Sequence, residues 1–190
     1  VKGLSFHVGS QSTSPGTHVA AIEACSRLIE EYEVPIRILD IGGGFPVDYD
    51  YGNDIDIYTF CAPIRAALAK LPEHVEVIAE PGRFLIAPAA ASITTVAGKA
   101  MRGDQPWYYL DDGVYGMFSG RIYDHARYPL HVFRTGPTRP SALVGPTCDS
   151  IDVIEEALEL PELEVGDLVV GRMMGAYTAA TASTFNSLPI

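Results

Sequence analysis

The chain has 190 residues, of which 47% are hydrophobic and 19% are charged, and its formal net charge is −11. No apolar run approaches the ~20 residues that a membrane-spanning helix needs, and the negative charge disfavours binding to nucleic acid or to anionic lipid. The three cysteines lack metal-ligand spacing, which argues against a zinc site or a disulfide framework and predicts a reducing compartment, the cytoplasm. We therefore expect a folded cytoplasmic protein that uses no metal and binds neither nucleic acid nor membrane.

The first part of the chain alternates strand-like and helix-like patterns, as βα units do. Strands are predicted at residues 4–8, 36–41 and 75–79, and helices at residues 17–32, capped by Thr17, and 56–71, interrupted or kinked near Pro63. Only about three such units fit, whereas a complete eight-unit barrel takes ~250 residues. We therefore expect residues 1–91 to be the C-terminal part of an α/β barrel. The start, Val1-Lys2-Gly3-Leu4, has no initiator Met or signal-peptide pattern, so we also expect the chain to begin within that domain.

The second part of the chain has short β-branched and aromatic runs, which predict antiparallel β-structure over residues 92–190. The runs lie at residues 93–96, 107–110, 130–133 and 168–170, with turn or loop residues at Gly103, Asp112-Gly113, Gly136-Pro137 and Gly166-Asp167. The chain is therefore predicted to contain two adjoining domains.

Glycine-rich turns follow two of the predicted strands. Gly42-Gly43-Gly44 comes after the second strand, and Gly82-Arg83 comes after the third. Backbone N–H groups without neighbouring side chains approach a phosphate closely, and a following helix adds partial positive charge. Three glycines alone are more often a structural turn. Together with Ser10 and Arg83 at other strand ends, they favour a phosphate site.

Three further side chains each allow two interpretations. Glu80 closes the third strand as a buried carboxylate that needs a partner, either Arg83 or a ligand. His7 lies in a hydrophobic strand and is either a hydrogen-bonded core residue or a ring that contacts a ligand. Cys148, in Gly-Pro-Thr-Cys-Asp, is either a small buried hydrophobe or a thiol at a polar turn that serves as a general acid.

These motifs together resemble those of the pyridoxal-phosphate-dependent ornithine/diaminopimelate/arginine decarboxylase family, most closely its ornithine branch. The resemblance covers almost the whole chain and includes residues 6–10, 42–46, 80–83, 111–116, 144–150 and 183–186. It implies a partial (β/α)8 barrel of the alanine-racemase type, followed by a β-domain that carries Cys148. It also implies pyridoxal 5′-phosphate as cofactor and a small cationic amino acid as substrate.

The resemblance implies a role for each candidate residue. His7 stacks on the cofactor ring, and Glu80 meets the pyridine nitrogen and keeps it protonated, so that the ring accepts electrons. Cys148 returns a proton to Cα after carbon dioxide leaves, which gives Cys148, His7 and Glu80 as catalytic residues. The residues around the cofactor phosphate are Ser10, Gly44, Gly82, Arg83 and Tyr177, and Gly43 also binds the cofactor. Asp124 and Asp149 receive the distal ammonium of the substrate, and Tyr123 also binds the substrate.

The activity that the resemblance favours is decarboxylation of ornithine to putrescine and carbon dioxide, a step of polyamine biosynthesis. Lysine and diaminopimelate are alternative substrates. Gln11 is reminiscent of the diaminopimelate branch, although Asp149 after Cys148 departs from the Cys-Glu-Ser pattern of that branch. A non-catalytic regulatory homologue is a further alternative, which retention of the candidate residues disfavours.

The resemblance also bears on assembly and completeness. The family holds its cofactor through a lysine on an early barrel strand, and Lys2, Lys70 and Lys99 lie in other contexts. We therefore expect the 190-residue segment alone to be inactive. The family forms homodimers with shared active sites, in which Cys148 and Asp149 reach across to the partner subunit.

Overall fold

The computed structural model of the chain describes residues 2–32, 35–49 and 55–189. The chain divides into two compact units, Val1–Leu85 and Ile86–Ile190, which we call unit 1 and unit 2. The predicted domain boundary after residue 91 stays a prediction. Within the described residues, no helix is long and apolar enough to cross a membrane.

Unit 1 has the predicted order of strand, helix, strand, helix, strand. Its three strands are shorter than predicted and form a parallel sheet in the order β1-β2-β3, in which Leu4 pairs with Leu39 and Leu39 with Val77. The described residues therefore form three strands of a parallel sheet and no closed eight-stranded barrel. The elements are β1 (Gly3–Ser5), α1 (Gly16–Glu31), β2 (Ile38–Asp40), α2 (Ile57–Leu68), β3 (Glu76–Ile78) and α3 (Gly82–Ile86).

The two long helices pack an apolar face on this sheet, around a core that includes Leu39, Ile41, Ile22 and Ile64. The prediction that Thr17 caps α1 is wrong, because the N-cap is Pro15 and the Thr17 hydroxyl bonds the Ser14 carbonyl within the first turn.

Helix α2 begins where predicted, with Asp56 as its N-cap accepting a hydrogen bond from Tyr58 N–H. It continues through Pro63, so the expected interruption is absent. Pro63 lies on the exposed side of α2, where the carbonyl that loses its helical partner is accessible to water.

Unit 2 contains a six-stranded sheet in the order β6-β9-β4-β5-β7-β8. All four predicted β-runs lie in or largely within strands, whereas β7 and β8 were not predicted. Its buried core includes Tyr108, Phe118, Leu143, Ile154 and Leu163. The elements are β4 (Ser92–Arg102), β5 (Gln105–Leu110), α4 (Gly120–Tyr123), β6 (Leu130–Val132), β7 (Arg139–Val144), β8 (Val153–Leu160) and β9 (Leu168–Gly171), followed by 3-10 turns at Ala179–Thr181 and Phe185–Ser187.

The prediction of a purely antiparallel sheet is wrong at one pairing. Strands β5 and β7 run parallel, with Tyr108 opposite Leu143, while the other four pairings are antiparallel. A parallel pair needs a long crossover, and residues 111–138 provide it by carrying α4 and β6 between the two strands. This crossover holds the Asp-Asp-Gly-Val-Tyr motif, and β7 leads directly into the turn that contains Cys148.

Candidate active-site residues in the two units

The glycine turn of unit 1, residues 42–44, follows β2 and requires glycine at both ends. Gly42 and Gly44 have φ angles of +65° and +88°, a region that side chains rarely occupy. A Cβ at Gly44 would lie 2.4 Å from the Gly9 carbonyl oxygen, and one at Gly42 would lie 2.1 Å from that of Phe6. The turn therefore packs directly on the backbone that follows β1.

His7 lies at the edge of this turn. It is exposed and follows the end of β1, so the interpretation as a core histidine is excluded. Its Nδ1 accepts a hydrogen bond from Gly9 N–H at 2.9 Å. A Cβ at Gly43 would lie 3.2 Å from His7 Nε2 and 2.8 Å from the Glu80 carbonyl oxygen. The absence of a side chain at Gly43 thus allows the residues that follow β1 and β3 to approach the same point.

Glu80 is exposed, so its predicted burial is wrong. Strand β3 is an edge of the three-stranded sheet, and all three of its residues are exposed. The backbone of Glu80 is nevertheless fixed, because its N–H donates to Gly42 O and its carbonyl accepts from Gly82 N–H, both at 2.8 Å. The carboxylate therefore extends from a fixed backbone position beside the glycine turn.

Arg83 and Ser10 come together although they are far apart in sequence. The guanidinium Nη2 donates to Ser10 Oγ at 3.0 Å and Nη1 donates to Tyr49 Oη at 2.8 Å, while Arg83 is 7% exposed. A buried cation, a hydroxyl and glycine N–H groups at strand ends form a donor set that suits a phosphate. The residues of unit 1 therefore fit the phosphate group of a cofactor.

Gln11 joins the two loops of this site. Its side-chain Nε2 donates to Val47 O and its Oε1 accepts from Val47 N–H, each at 2.8 Å. This paired contact holds the segment after the glycine turn against the segment that contains Ser10. Gln11, which is reminiscent of the diaminopimelate branch, therefore positions the segment around Val47 against the segment that contains Ser10.

Unit 2 contains the cysteine turn, residues 145–150, which is held by a residue that sequence reasoning missed. Asp152 is 2% exposed, and its carboxylate accepts hydrogen bonds from Val114 N–H at 2.9 Å, Thr147 N–H at 3.0 Å and the Thr147 hydroxyl at 2.7 Å. A Cβ at Gly113 or Gly145 would lie within 2.2 Å of Asp152 Oδ1. Asp152 thus joins the crossover to the cysteine turn at two positions where only glycine fits.

Asp149 follows Cys148 in this turn and bonds a tyrosine from the crossover. Tyr115 Oη donates to Asp149 Oδ2 at 2.5 Å. This hydrogen bond holds the pKa of the Asp149 carboxyl below its ordinary value, with a further contribution from the Ile151 N–H, and it raises the pKa of Tyr115 to about 12. Near neutral pH, Asp149 is therefore an anion and Tyr115 a neutral donor.

Cys148 is exposed, so the thiol is not a core residue. Asn186 Nδ2 donates to its Sγ at 3.5 Å from the C-terminal segment, and the neighbouring Phe185 ring stacks on Tyr115 with a centroid distance of 4.2 Å. Cys148 and Asp149 both line a cavity of about 380 Å³ that also contacts Tyr109. A thiol and an ionised carboxylate therefore face one space in unit 2.

The other predicted residues of unit 2 lie outside that cavity lining. Tyr123 and Asp124 are exposed, at the last residue of α4 and at its C-cap. Tyr177 is 46% exposed and has a φ angle of +54°. The structure therefore brings Cys148 and Asp149 together at one cavity, whose lining does not include Tyr123 or Asp124.

Comparison with known proteins shows which family the chain is similar to. A family model described as the C-terminal sheet domain of pyridoxal-dependent decarboxylases matches residues 19–175. The chain is 43% identical to a lysine/ornithine decarboxylase of Selenomonas ruminantium over 97% of this chain and 48% of the relative, and 38% identical to mouse ornithine decarboxylase over 98% of this chain and 45% of the relative. The solved structure of a Vibrio vulnificus lysine/ornithine decarboxylase complexed with cadaverine superposes with a TM-score of 0.92 at 56% identity, over 98% of this chain and 52% of that one.

The chain belongs to the pyridoxal-dependent decarboxylase family, as its motifs predicted. Pyridoxal phosphate is the cofactor of this family, and similar solved structures are complexes with it. The chain spans about half the length of the curated relatives that it matches.

We expect the substitution Tyr115→Phe to raise the pKa of the Asp149 carboxyl, because it removes the hydrogen bond that favours the anion. Carbon-13 NMR of the Asp149 carboxyl against pH measures this change. Tyr109→Phe is the matched control, since the Tyr109 hydroxyl lines the same cavity but accepts a hydrogen bond from Arg102. An unchanged Asp149 pKa in Tyr115→Phe would show that the contact has no electrostatic effect.

Proposed function

We propose that the protein containing this chain decarboxylates a basic L-amino acid with pyridoxal phosphate, with ornithine as the preferred substrate and lysine as the alternative. The observation that carries this proposal is the pair Cys148 and Asp149, a thiol and an ionised carboxylate on one turn and in one cavity. The thiol suits proton delivery to carbon, and the carboxylate suits a cationic side chain. Membership of the pyridoxal-dependent decarboxylase family supports the reaction class.

The proposed cofactor residues divide by chemistry, and all of them except Tyr177 lie in unit 1. Arg83, Ser10 and the N–H groups of Gly43 and Gly44 bind the phosphate, with Tyr177 as a further donor. Gly82, whose N–H already donates to the Glu80 carbonyl, leaves room for the phosphate beside them. The exposed His7 ring stacks on the cofactor ring, and the Glu80 carboxylate holds a proton on the pyridine nitrogen. When bound, pyridoxal phosphate supplies an electron-accepting ring that stabilises the negative charge left at Cα as carbon dioxide departs.

In unit 2, Cys148 is the proposed acid. Its thiol gives its proton to Cα and the sulfur becomes a thiolate, so carbon gains the hydrogen that replaces the departed carboxylate. The Asn186 amide donates to Sγ, and this hydrogen bond strengthens as negative charge develops on the sulfur. Cys148 therefore acts after the bond to carbon dioxide has broken.

Asp149 is the proposed partner of the distal ammonium of the substrate, with Tyr123 and Asp124 completing that part of the site. The hydrogen bond from Tyr115 keeps Asp149 ionised, and a desolvated ammonium needs such a partner. Ornithine and lysine both present this group. Relatives named lysine/ornithine decarboxylase, and solved complexes of one of them with putrescine and with cadaverine, support both substrates.

We further propose a homodimer with shared active sites, in which unit 1 of one subunit faces unit 2 of its partner. The division of the candidate residues between the units supports this, because Ser10 and Arg83 lie in unit 1 whereas Cys148 and Asp149 lie in unit 2. Unit 1 is then part of a larger barrel, as the family resemblance implies. The cytoplasmic location stays a prediction from the cysteine pattern.

We expect Cys148→Ala in the whole protein to lower the yield of diamine and to release an aldehyde, because protonation then occurs at the wrong carbon. Cofactor affinity should change little. Product analysis after complete conversion of the substrate measures the ratio of diamine to aldehyde. The same analysis with ornithine and with lysine compares the two substrates. Cys61→Ala is the control thiol, in α2 of unit 1. A normal diamine yield and unchanged turnover for Cys148→Ala would remove this residue from the mechanism.

Subunit mixing tests the shared site with two variants of the whole protein that are each expected to form little diamine. In a heterodimer of Glu80→Ala and Cys148→Ala subunits, one of the two shared sites has an intact unit 1 and an intact unit 2. We therefore expect activity to recover after subunit exchange.

A mixture of Asp149→Ala and Cys148→Ala is the matched control, because both changes lie in unit 2 and leave no intact shared site. Recovery in both mixtures, or in neither after exchange has been verified by mass spectrometry, would contradict the shared site.

A further inference from the structure

His18 is a buried titratable residue that no proposed catalytic role uses. It lies on the inner face of α1 with no exposed surface, and its ring packs on Phe45 and Phe60 at centroid distances of 4.9 and 6.1 Å. Its Nε2 is 3.0 Å from the carbonyl oxygen of Gly43. A core histidine therefore reaches the middle residue of the glycine turn from behind.

The partner atom fixes the protonation of the ring. A carbonyl oxygen only accepts, so His18 Nε2 carries the hydrogen and donates it. Nδ1 is buried and has no hydrogen-bond partner among the residues that the structure describes, so a second proton there would be an unpaired buried charge. Burial accordingly holds the pKa of His18 below its ordinary value, with the nearby His7 acting in the same direction and the Gly43 bond against it. The ring is a neutral donor.

The donation from His18 also sets the direction of the next amide. The peptide bond between Gly43 and Gly44 is planar and trans, since the described residues contain no cis peptide. In a trans peptide, the C=O and the following N–H point in opposite directions. Because the Gly43 carbonyl is held toward His18 in the core, the Gly44 N–H is turned away from the core.

We propose that His18 is a positioning residue of the phosphate site, which orients the Gly44 N–H toward the cofactor phosphate by holding the Gly43 carbonyl. This inference rests on the proposed function, in which the glycine turn binds that phosphate. The alternative backbone state is a flipped peptide, which glycine on both sides permits at little cost. His18 excludes the flipped state because it would lose its acceptor in a dry environment.

The test compares two ligands that differ only in the phosphate. Equilibrium dialysis of the whole protein gives dissociation constants for pyridoxal phosphate and for pyridoxal. The variant His18→Phe keeps an aromatic ring against Phe45 and Phe60 but cannot donate a hydrogen bond. We expect it to raise the dissociation constant of pyridoxal phosphate about tenfold and that of pyridoxal less than twofold. His18→Gln, which retains a donor, should restore part of the preference, and Phe60→Leu is the packing control that should leave it intact.

The outcomes distinguish failure of the proposed phosphate site from failure of the proposed role of His18. Equal affinity of the wild-type protein for both ligands overturns the phosphate site itself. A wild-type preference for pyridoxal phosphate that His18→Phe retains in full, or that Phe60→Leu loses to the same extent, overturns the role of His18 alone. An equal loss of affinity for both ligands in His18→Phe would show that His18 has only a structural role, and this too overturns the proposed positioning role.

A measurement on the wild-type protein serves where the variants do not fold. Nitrogen-15 NMR should show His18 as the Nε2–H tautomer, and addition of inorganic phosphate should shift the Gly44 amide resonance. An Nδ1–H tautomer, or a Gly44 amide that phosphate leaves unmoved while that of Gly82 shifts, overturns the inference.

Discussion

The carboxylate of Asp152 is buried among backbone donors, and the candidate chemistry of unit 2 depends on it. Its three hydrogen bonds come from Val114 and Thr147, on either side of the cleft between the crossover and the cysteine turn. Burying this carboxylate without these donors would destabilise the fold by several kcal/mol. Separating the two segments would remove the donors, so the carboxylate keeps the segments in contact. Tyr115 follows Val114 and Cys148 follows Thr147, so one core group positions both the tyrosine and the thiol.

Unit 1 uses a buried side chain in the same way. His18 contacts the glycine turn as Asp152 contacts the cysteine turn, because each is a buried polar side chain that hydrogen-bonds the backbone of a loop. In each unit, glycines at contact points remove the side chains that would prevent the approach. Exposed residues such as His7 and Cys148 can then project toward a ligand from a backbone that packing has already fixed.

The sequence predicted the order of elements in unit 1 and the positions of four strands in unit 2, because periodicity and β-branched runs are local signals. It did not predict β8, where Glu155, Glu156 and Glu159 have the composition of a solvated helix. Nor did it predict β7, which contains Pro140. In the sheet, Pro140 pairs only with Glu159, beyond the end of the pairing with β5, so its missing N–H breaks no ladder there.

The candidate residues themselves were visible as motifs, whereas the residues that hold them were not. The helical spacing of His18 with Ile22, Cys25 and Ile29 is a signal that could have indicated its burial, but no motif of the phosphate site includes His18. Asp152 offered no local signal, because its contacts are formed by the parallel pairing of β5 with β7 across a long crossover. Glu80 was expected to be buried from its apolar strand neighbours, but the edge position of β3 leaves it exposed.

The most direct test of this account follows the proton delivered to Cα in the proposed decarboxylation of ornithine by the whole protein, carried out in deuterium oxide. Cys148, held by Asp152 on one side of the reacting carbon, should deliver a single deuterium in one configuration. In Asp152→Asn, the side-chain NH2 group would face an N–H or O–H donor of Val114 or Thr147, and two donors cannot form a hydrogen bond. The cysteine turn should therefore loosen, and the deuterated product should become a mixture of both configurations at Cα. A product of one configuration from both proteins would contradict the claim that Asp152 positions Cys148.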